Sequence, residues 1–203
     1  LNLQLALFAH FVKIFFMQNI GQSVFKGKTV VLGVCSSIAV YKAAELVSAL
    51  VKLGADVKVV MTENAAKLMS PRIFQTLSRN RVYVSMWEDI PDWKPEHISL
   101  AEAADLLIVA PATANMIGNF AHGIAPDMLS TLYLATTAKT LVAPAMNCDM
   151  YAHPAVVENM EILKARGAVF VEAQRGMLAC GKEGAGRLAD IDKIVEQAAL
   201  ILG

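Results

Sequence analysis

From residue 29 onward, short continuous apolar runs alternate with longer stretches in which apolar residues recur at helical spacing. Thr29–Val34 and Asp56–Met61 are runs rich in β-branched residues and bounded by turn formers. Strands buried on both faces of a parallel sheet read this way. Leu106–Ala110, Lys139–Ala143 and Val169–Val171 repeat the form, and Val82–Val84 is a shorter instance. Between them the spacing predicts helices. Ile38–Leu53 is closed by Gly54, and Ser70-Pro71 supplies a cap and a proline start for a helix to about Ser78. His97–Ala104, Thr113–Phe120, Asp127–Thr136, a segment from His153-Pro154 to Gly167, and Ile191–Leu202 complete the helices. Thr62–Asn64 reads as a turn, Glu88–Glu96 as a polar loop, and Gln174–Leu188 as a long glycine-rich loop. Strand and helix alternate without an internal repeat or linker, so one α/β domain is expected, with helices on both faces of a parallel sheet of about six strands.

That alternation is the signature of a doubly wound, flavodoxin/Rossmann-like domain, here residues 27–203. Residues 1–26 depart from it: Leu1–Met17 is almost wholly apolar, broken only by polar positions such as His10 and Lys13. The stretch is too short and too interrupted for a membrane span and lacks the basic leader of a signal peptide. It reads as an added helix docked on the domain or on a neighbouring subunit; a translation start misplaced upstream of Met17 is the competing reading. At 203 residues, 56% apolar and with zero formal net charge, the chain shows no sign of disorder or of a nucleic-acid partner. Its apolar excess points to burial between subunits. The three cysteines (Cys35, Cys148, Cys180) form no Cys-x-x-Cys pair. This argues against a zinc site or a disulfide framework and for a reducing cytosol.

Chemistry in such a sheet sits at the carboxyl ends of the strands. Two strands there end in Ala-Pro-Ala, at 110–112 and 143–145, each followed within a few residues by an asparagine, Asn115 and Asn147. They read as neighbouring walls of one pocket; a proline that merely ends a buried strand is the competing reading for each alone. Ser36 and Ser37 precede a helix, where hydroxyls and free N–H groups can hold a phosphate, although a plain serine cap fits the same residues. The turn has no Gly-x-Gly-x-x-Gly, which favours a mononucleotide over a dinucleotide. His97 lies at a helix start, where the dipole favours a neutral imidazole suited to a general base; an exposed capping histidine is the alternative. Cys180, in the glycine-rich loop beside Lys182, can act as an acid or nucleophile toward a ligand. Long loops of this kind are commonly lids.

Six segments in order carry a resemblance to a known family: Gly33–Lys42 (GVCSSIAVYK), His97-Ile98, Pro111–Asn115 (PATAN), Gly123–Asp127 (GIAPD), Pro144–Met150 (PAMNCDM) and Ala179–Gly181 (ACG). Over residues 28–202 the chain resembles the flavin-containing cysteine decarboxylases, and within them the phosphopantothenoylcysteine decarboxylases. The resemblance implies FMN as cofactor, held by Ser36, Ser37 and Ile38, by Thr62, Glu63 and Asn64, and by Thr113, Ala114, Asn115 and Met116. It implies His97 as base, Cys180 as proton donor, Asn147 as the binder of the substrate carboxylate, and Met177, Leu178 and Ala179 as a substrate-binding flap. Ser36 stands where many members carry glycine. The implied reaction is FMN-dependent decarboxylation of 4′-phosphopantothenoyl-L-cysteine to 4′-phosphopantetheine in coenzyme A biosynthesis. It goes with a cytoplasmic homotrimer or multiple of three, active sites at subunit contacts, and a ligase domain, fused or separate, that makes the substrate. Three other functions share the fold: a peptidyl-cysteine oxidative decarboxylase, a flavin prenyltransferase and a non-catalytic flavin-binding regulatory subunit. Cys180 within Ala-Cys-Gly argues against the first, His97 and a different first turn against the second, and the full set of His97, Asn147 and Cys180 against the third.

Overall fold

In the computed structural model, which describes residues 23–87, 94–177, 179 and 181–203, the alternating runs fold in sequence order. They form β1 (Thr29–Val34), α1 (Val40–Lys52), β2 (Asp56–Met61), α2 (Glu63–Leu68), α3 (Pro71–Ser78), β3 (Val82–Tyr83), α4 (Glu96–Ala103) and β4 (Leu106–Ala112). There follow α5 (Ala114–His122), α6 (Met128–Ala135), β5 (Lys139–Pro144), α7 (Cys148–Tyr151), α8 (Pro154–Ala165), β6 (Val169–Phe170), β7 (Gln174–Met177), β8 (Glu183–Arg187) and α9 (Ile191–Leu202). The apolar segment 1–22 lies outside the described residues, as does 88–93 of the expected polar loop. No helix among the described residues is long and apolar enough to cross a membrane.

Six strands pair in parallel in the order β3-β2-β1-β4-β5-β6. This is the Rossmann order, and it reverses direction between β1 and β4, where a crevice opens at the carboxyl edge. The period-2 alternation of each strand divides the core. Leu106, Ile108 and Ala110 of β4 pack with α1, α3 and α9, while Leu107 and Val109 pack on the other face with α4, α5, α6 and α8. Full burial of each such Leu, Ile or Val side chain contributes about 1.5–3 kcal/mol, so the sheet is the rigid floor on which the crevice stands. Gly33 lets α6 come close: a Cβ there would lie 2.5 Å from a methyl carbon of Leu129.

Backbone bonds tie the strand exits together at that edge. Thr62 N–H donates to Val34 O (3.0 Å), Cys35 N–H to Pro111 O (3.2 Å) and Ala145 N–H to Ala112 O (2.9 Å). The bonds at Pro111 and Ala112 explain why β4 runs through its proline to Ala112 rather than stopping at Ala110. A proline has no N–H to lose there, and its carbonyl still serves β1. Two other expectations change. Thr62–Asn64 opens helix α2, with Thr62 Oγ1 accepting from Ala65 N–H at 3.2 Å, because the threonine caps a run of helix formers. The glycine-rich loop is an antiparallel hairpin, β7–β8, separate from the main sheet.

Candidate functional site

The crevice has two lobes that share Ser36, Thr113 and Asn115 at the waist. The smaller lobe, a cavity of about 190 Å³, lies toward β2 and takes in Thr62, Glu63, Asn64, Ser85, Trp87 and Asp127. Here α5 and α6 begin. Thr113 caps α5 by accepting from Met116 N–H (3.3 Å), and Gly123 ends that helix in the left-handed region (φ 66°). Asp127 caps α6 reciprocally: its Oδ1 accepts from Ser130 N–H (2.9 Å), and its own N–H donates to the Ser130 hydroxyl (3.2 Å). The GIAPD segment is therefore a helix stop followed by a helix start that wraps the lobe. Cys35 forms part of the floor. Burial pushes its thiol up to about 12, outweighing the hydrogen bonds from Thr113 that pull the other way. It remains a protonated packing group.

The larger lobe measures about 790 Å³ and lies between the start of α1, the exit of β5 and the hairpin. Ser36 is exposed, whereas Ser37 is buried, with its Oγ accepting from Ala39 N–H at 3.3 Å. Ser37 thus stabilises the turn into α1, and Ser36 is the hydroxyl offered to both lobes. Asn147 caps α7: its Oδ1 accepts from Asp149 N–H (2.8 Å) and Met150 N–H (3.4 Å). That fixes the amide plane, with Oδ1 turned to the start of α7.

Glycines let the hairpin lie against this exit. A Cβ at Gly186 would lie 2.3 Å from Met146 O, and one at Gly184 would lie 2.6 Å from Cys148 Cβ. The two are i, i+2 on one face of β8. Met146 N–H donates to Gly186 O at 2.9 Å. At the tip, Lys182 Nζ pairs with Asp149 Oδ2 at 2.6 Å, and the ammonium holds the Asp149 carboxyl below its ordinary range. Both partners are exposed, so this pair adds little to stability.

Of the residues expected at the site, Ser36, Ser37, Ile38, Thr113, Ala114, Asn115, Asn147, Met177 and Ala179 line the larger lobe. Thr62, Glu63, Asn64 and Met116 line the smaller one. Met116 is buried in the core and its N–H is held by Thr113, so it offers only a wall. Leu178 and Cys180 lie outside the described residues. His97 is half-buried in the first turn of α4 and lines neither lobe. Since α4 ends where β4 begins, its N-terminal turn stands at the same edge of the sheet as the crevice. The sequence reading missed Trp87, Asp127, Tyr41, Lys42 and Arg187 as lining residues. Asp127, Tyr41 and Lys42 stood inside quoted segments, though without a role; Trp87 and Arg187 look like surface residues until the fold brings them together. Among the described residues no cluster of His, Cys, Asp or Glu can hold a metal ion.

Residues 21–202 match the family described as Flavoprotein. The chain is 51% identical over 171 residues to the coenzyme A biosynthesis bifunctional protein CoaBC of Bacillus subtilis (strain 168), covering 84% of this chain and 42% of that one. It therefore spans less than half the length of that relative. It is 40% identical over 172 residues to a probable phosphopantothenoylcysteine decarboxylase of Streptococcus mutans serotype c, covering 84% of this chain and 96% of the relative. Among solved structures, the FMN-dependent cysteine decarboxylase SpaF superposes with a TM-score of 0.75 at 32% identity. That match covers 86% of this chain and 99% of the other.

Proposed function

The chain belongs to the Flavoprotein family, and on that premise we propose that it binds FMN and decarboxylates 4′-phosphopantothenoyl-L-cysteine to 4′-phosphopantetheine. The observation that carries the substrate is the match along nearly the whole length of a probable phosphopantothenoylcysteine decarboxylase. The crevice fits the cofactor's chemistry. Hydroxyls and amides (Ser36, Thr113, Asn115, Asn64) gather at the waist and in the small lobe, and Ala145, Met146 and Met150 give the large lobe an apolar wall. A mononucleotide with a polar ribityl phosphate and a flat apolar ring needs both. When bound, FMN supplies reversible two-electron oxidation, which makes the substrate's carboxylate a leaving group.

The chain's residues then have distinct tasks. Asn147 holds the carboxylate by a neutral amide, so no fixed positive charge stabilises the ground state against loss of carbon dioxide. His97 takes the proton released in the oxidative half, and Cys180 returns one to the carbon that lost the carboxylate. Because His97 lines neither lobe of its own chain, it completes the site of a neighbouring copy. The exposed apolar residues Ile38 (69%), Tyr41 (62%) and Met177 (64%) around the large lobe support such a contact. The assembly is a trimer or a multiple of three in the cytosol; light scattering that shows an active monomer would end this part of the reading. A phosphopantothenate–cysteine ligase, fused or separate, supplies the substrate, in line with the bifunctional relative.

The likeness to the FMN-dependent cysteine decarboxylase SpaF favours a second reading with a different cysteine compound as substrate, for which we take oxidative decarboxylation of a peptidyl cysteine. One assay separates them: carbon dioxide release from phosphopantothenoylcysteine, with the product weighed by mass spectrometry. The saturated thiol is expected, and Cys180→Ser should still release carbon dioxide but give a product two hydrogens lighter. A wild-type enzyme that stops at the ene-thiol, or ignores this substrate, would favour the peptide reading.

A further inference from the structure

A further cavity, of about 470 Å³, opens at the edge of the sheet opposite the crevice, among the ends of α5, α6 and α8 and the start of β5. Strand β5 joins the two places: Lys139 and Thr140 begin it beside this cavity, and Pro144 ends it at the crevice, about 17 Å away at the usual rise of a strand. Thr140 lies on the face that packs with α5, α6 and α8, as does its i+2 neighbour Val142. It is only 7% exposed, yet its hydroxyl has no hydrogen-bond partner among the described residues. Every fully enclosed side-chain oxygen or nitrogen of those residues does have a partner. The Thr140 hydroxyl is therefore not sealed in the core but opens on the cavity it lines. Tyr133, Thr137, Lys139 and Arg166 line the same cavity, and among the described residues no carboxylate does. Tyr133 stacks on the buried Phe120, with ring centroids 3.8 Å apart. Burial pushes its phenol up, and the Arg166 guanidinium opposes that shift. Arg166 is oriented by donating from Nη1 to Ala121 O (2.6 Å), which leaves its other donors for a ligand. Lys139 is exposed and makes no ion pair or hydrogen bond with a described residue.

A buried hydroxyl without a partner costs folding free energy, and valine would fill the same strand position without that cost. Thr136 shows what a structural threonine does here: its Oγ1 donates to Ala101 O (3.1 Å) and accepts from Ala138 N–H (3.2 Å). Thr140 ties nothing together in this way, and a ligand that accepts from its hydroxyl accounts for it. Two cations with no carboxylate beside them make that ligand an anion. An arginine fork, a lysine point charge and several hydroxyls are a donor set suited to phosphate. The cavity has the size of a small-molecule site, larger than a bare phosphate fills, and the half-buried Tyr133 gives it an apolar wall for the rest of the molecule. We propose that this cavity is a second ligand site, separate from the crevice, which binds a small organic phosphate through Thr140, Lys139 and Arg166. It stands whether or not the crevice carries out the reaction proposed above.

Phenyl phosphate, which joins one phosphate to one ring, is the probe. It is titrated into FMN-loaded protein, and binding is located by the amide resonances of residues 137–140 and 166–168. Saturable shifts there are expected, weakening as salt is raised, and phenol, which lacks the phosphate, should not compete. Lys139→Met and Thr140→Val should each weaken binding by roughly tenfold. Asn147→Asp, beyond the far end of β5 in the crevice, should leave it unchanged. Thr140→Val should also melt no lower than wild type, because it removes a hydroxyl that folding leaves unpaired. Shifts confined to crevice residues, or no saturable shift, would overturn the site. Equal binding of phenol would overturn the anion, and a lower melting temperature for Thr140→Val would make the hydroxyl structural and remove the ground for a ligand.

Discussion

Gly186→Ala puts the docking of the hairpin to a quantitative test. A β-carbon at 186 would lie 2.3 Å from the carbonyl oxygen of Met146. An unstrained carbon–oxygen contact is about 3.3 Å or more, so one of the two backbones must move by about 1 Å. The obstacle is backbone, not the flexible end of a side chain, so it cannot swing away. Moving breaks the 2.9 Å bond from Met146 N–H to Gly186 O, worth about 1 kcal/mol net. Staying keeps an L-residue at φ +143°, which costs about 1–3 kcal/mol. Either way the docked hairpin loses about 1–3 kcal/mol relative to the undocked one. The six-stranded sheet has no share in this, because β7–β8 form a separate sheet. The hairpin should therefore lift while the domain stays folded. Hydrogen exchange at the Met146 amide should speed up by roughly fivefold or more, and trypsin should cut after Lys182 faster. The main thermal transition should shift little, and KM should rise. Unchanged exchange at Met146 would show that the glycine is not what seats the hairpin. Loss of the whole fold would show that the hairpin belongs to the cooperative core.

Three further outcomes follow from the site. Ser36→Glu, at the exposed hydroxyl shared by both lobes and away from the capping Ser37, should give a folded protein that purifies without its yellow flavin; normal flavin content would remove the phosphate from this turn. Asn147→Asp should keep α7, since aspartate caps as well as asparagine, yet lose about 100-fold or more in kcat/KM by setting a negative charge against the substrate carboxylate. His97→Asn should keep flavin and lose decarboxylation, and wild-type turnover by either variant would mean the site is misplaced. For Cys35, burial raises the thiol from its ordinary 9.0 to about 12, so the folded state keeps a proton that the unfolded chain releases. Its stabilisation is whole below pH 9 and is lost as pH climbs from there to about 12, at up to about 1.4 kcal/mol per pH unit. Urea midpoints measured from pH 8 to pH 11 should fall less steeply for Cys35→Ala, and parallel curves would contradict the assignment.

What the sequence disclosed depended on how local the cause was. β1, β2 and α9 lie at the expected residues because their bounds are set by neighbours in the chain: a continuous apolar run between turn formers, or a helical stripe to the C-terminal glycine. α2 was hidden because Thr62-Glu-Asn64 contains the residues of a turn as well as those of a helix start, and only the four residues that follow decide between them. β4 was cut short at Pro111 because a proline usually ends a strand. Here the strand continues, since its next partner bonds use the carbonyls of Pro111 and Ala112 and need no proline N–H. The hairpin was read as a long glycine-rich loop because its glycines were judged from the chain alone. Glycines signal freedom when read along the chain, but Gly184 and Gly186 are required by what lies across from them, at Cys148 and Met146.

The site shows the same division more sharply. Ser36, Thr113 and Asn147 were readable because each stands where a strand gives way to a helix, a position the local pattern announces. Lys42 and Arg187 were not. Lys42 looks like any polar residue on an amphipathic helix, and Arg187 looks like a charge in a glycine-rich loop. The fold brings them to the lining of one cavity, at a separation of 145 positions in the chain. The charge of the two lobes is likewise a property of no segment, because the whole chain is formally neutral. A neutral chain can still bind a ligand bearing two anionic groups if the fold sorts its charges. Here the sorting is done by topology: α2 and α6 begin on the β2 side of the switch point and bring Glu63 and Asp127 to one lobe, while α1 and the hairpin bring Lys42 and Arg187 to the other.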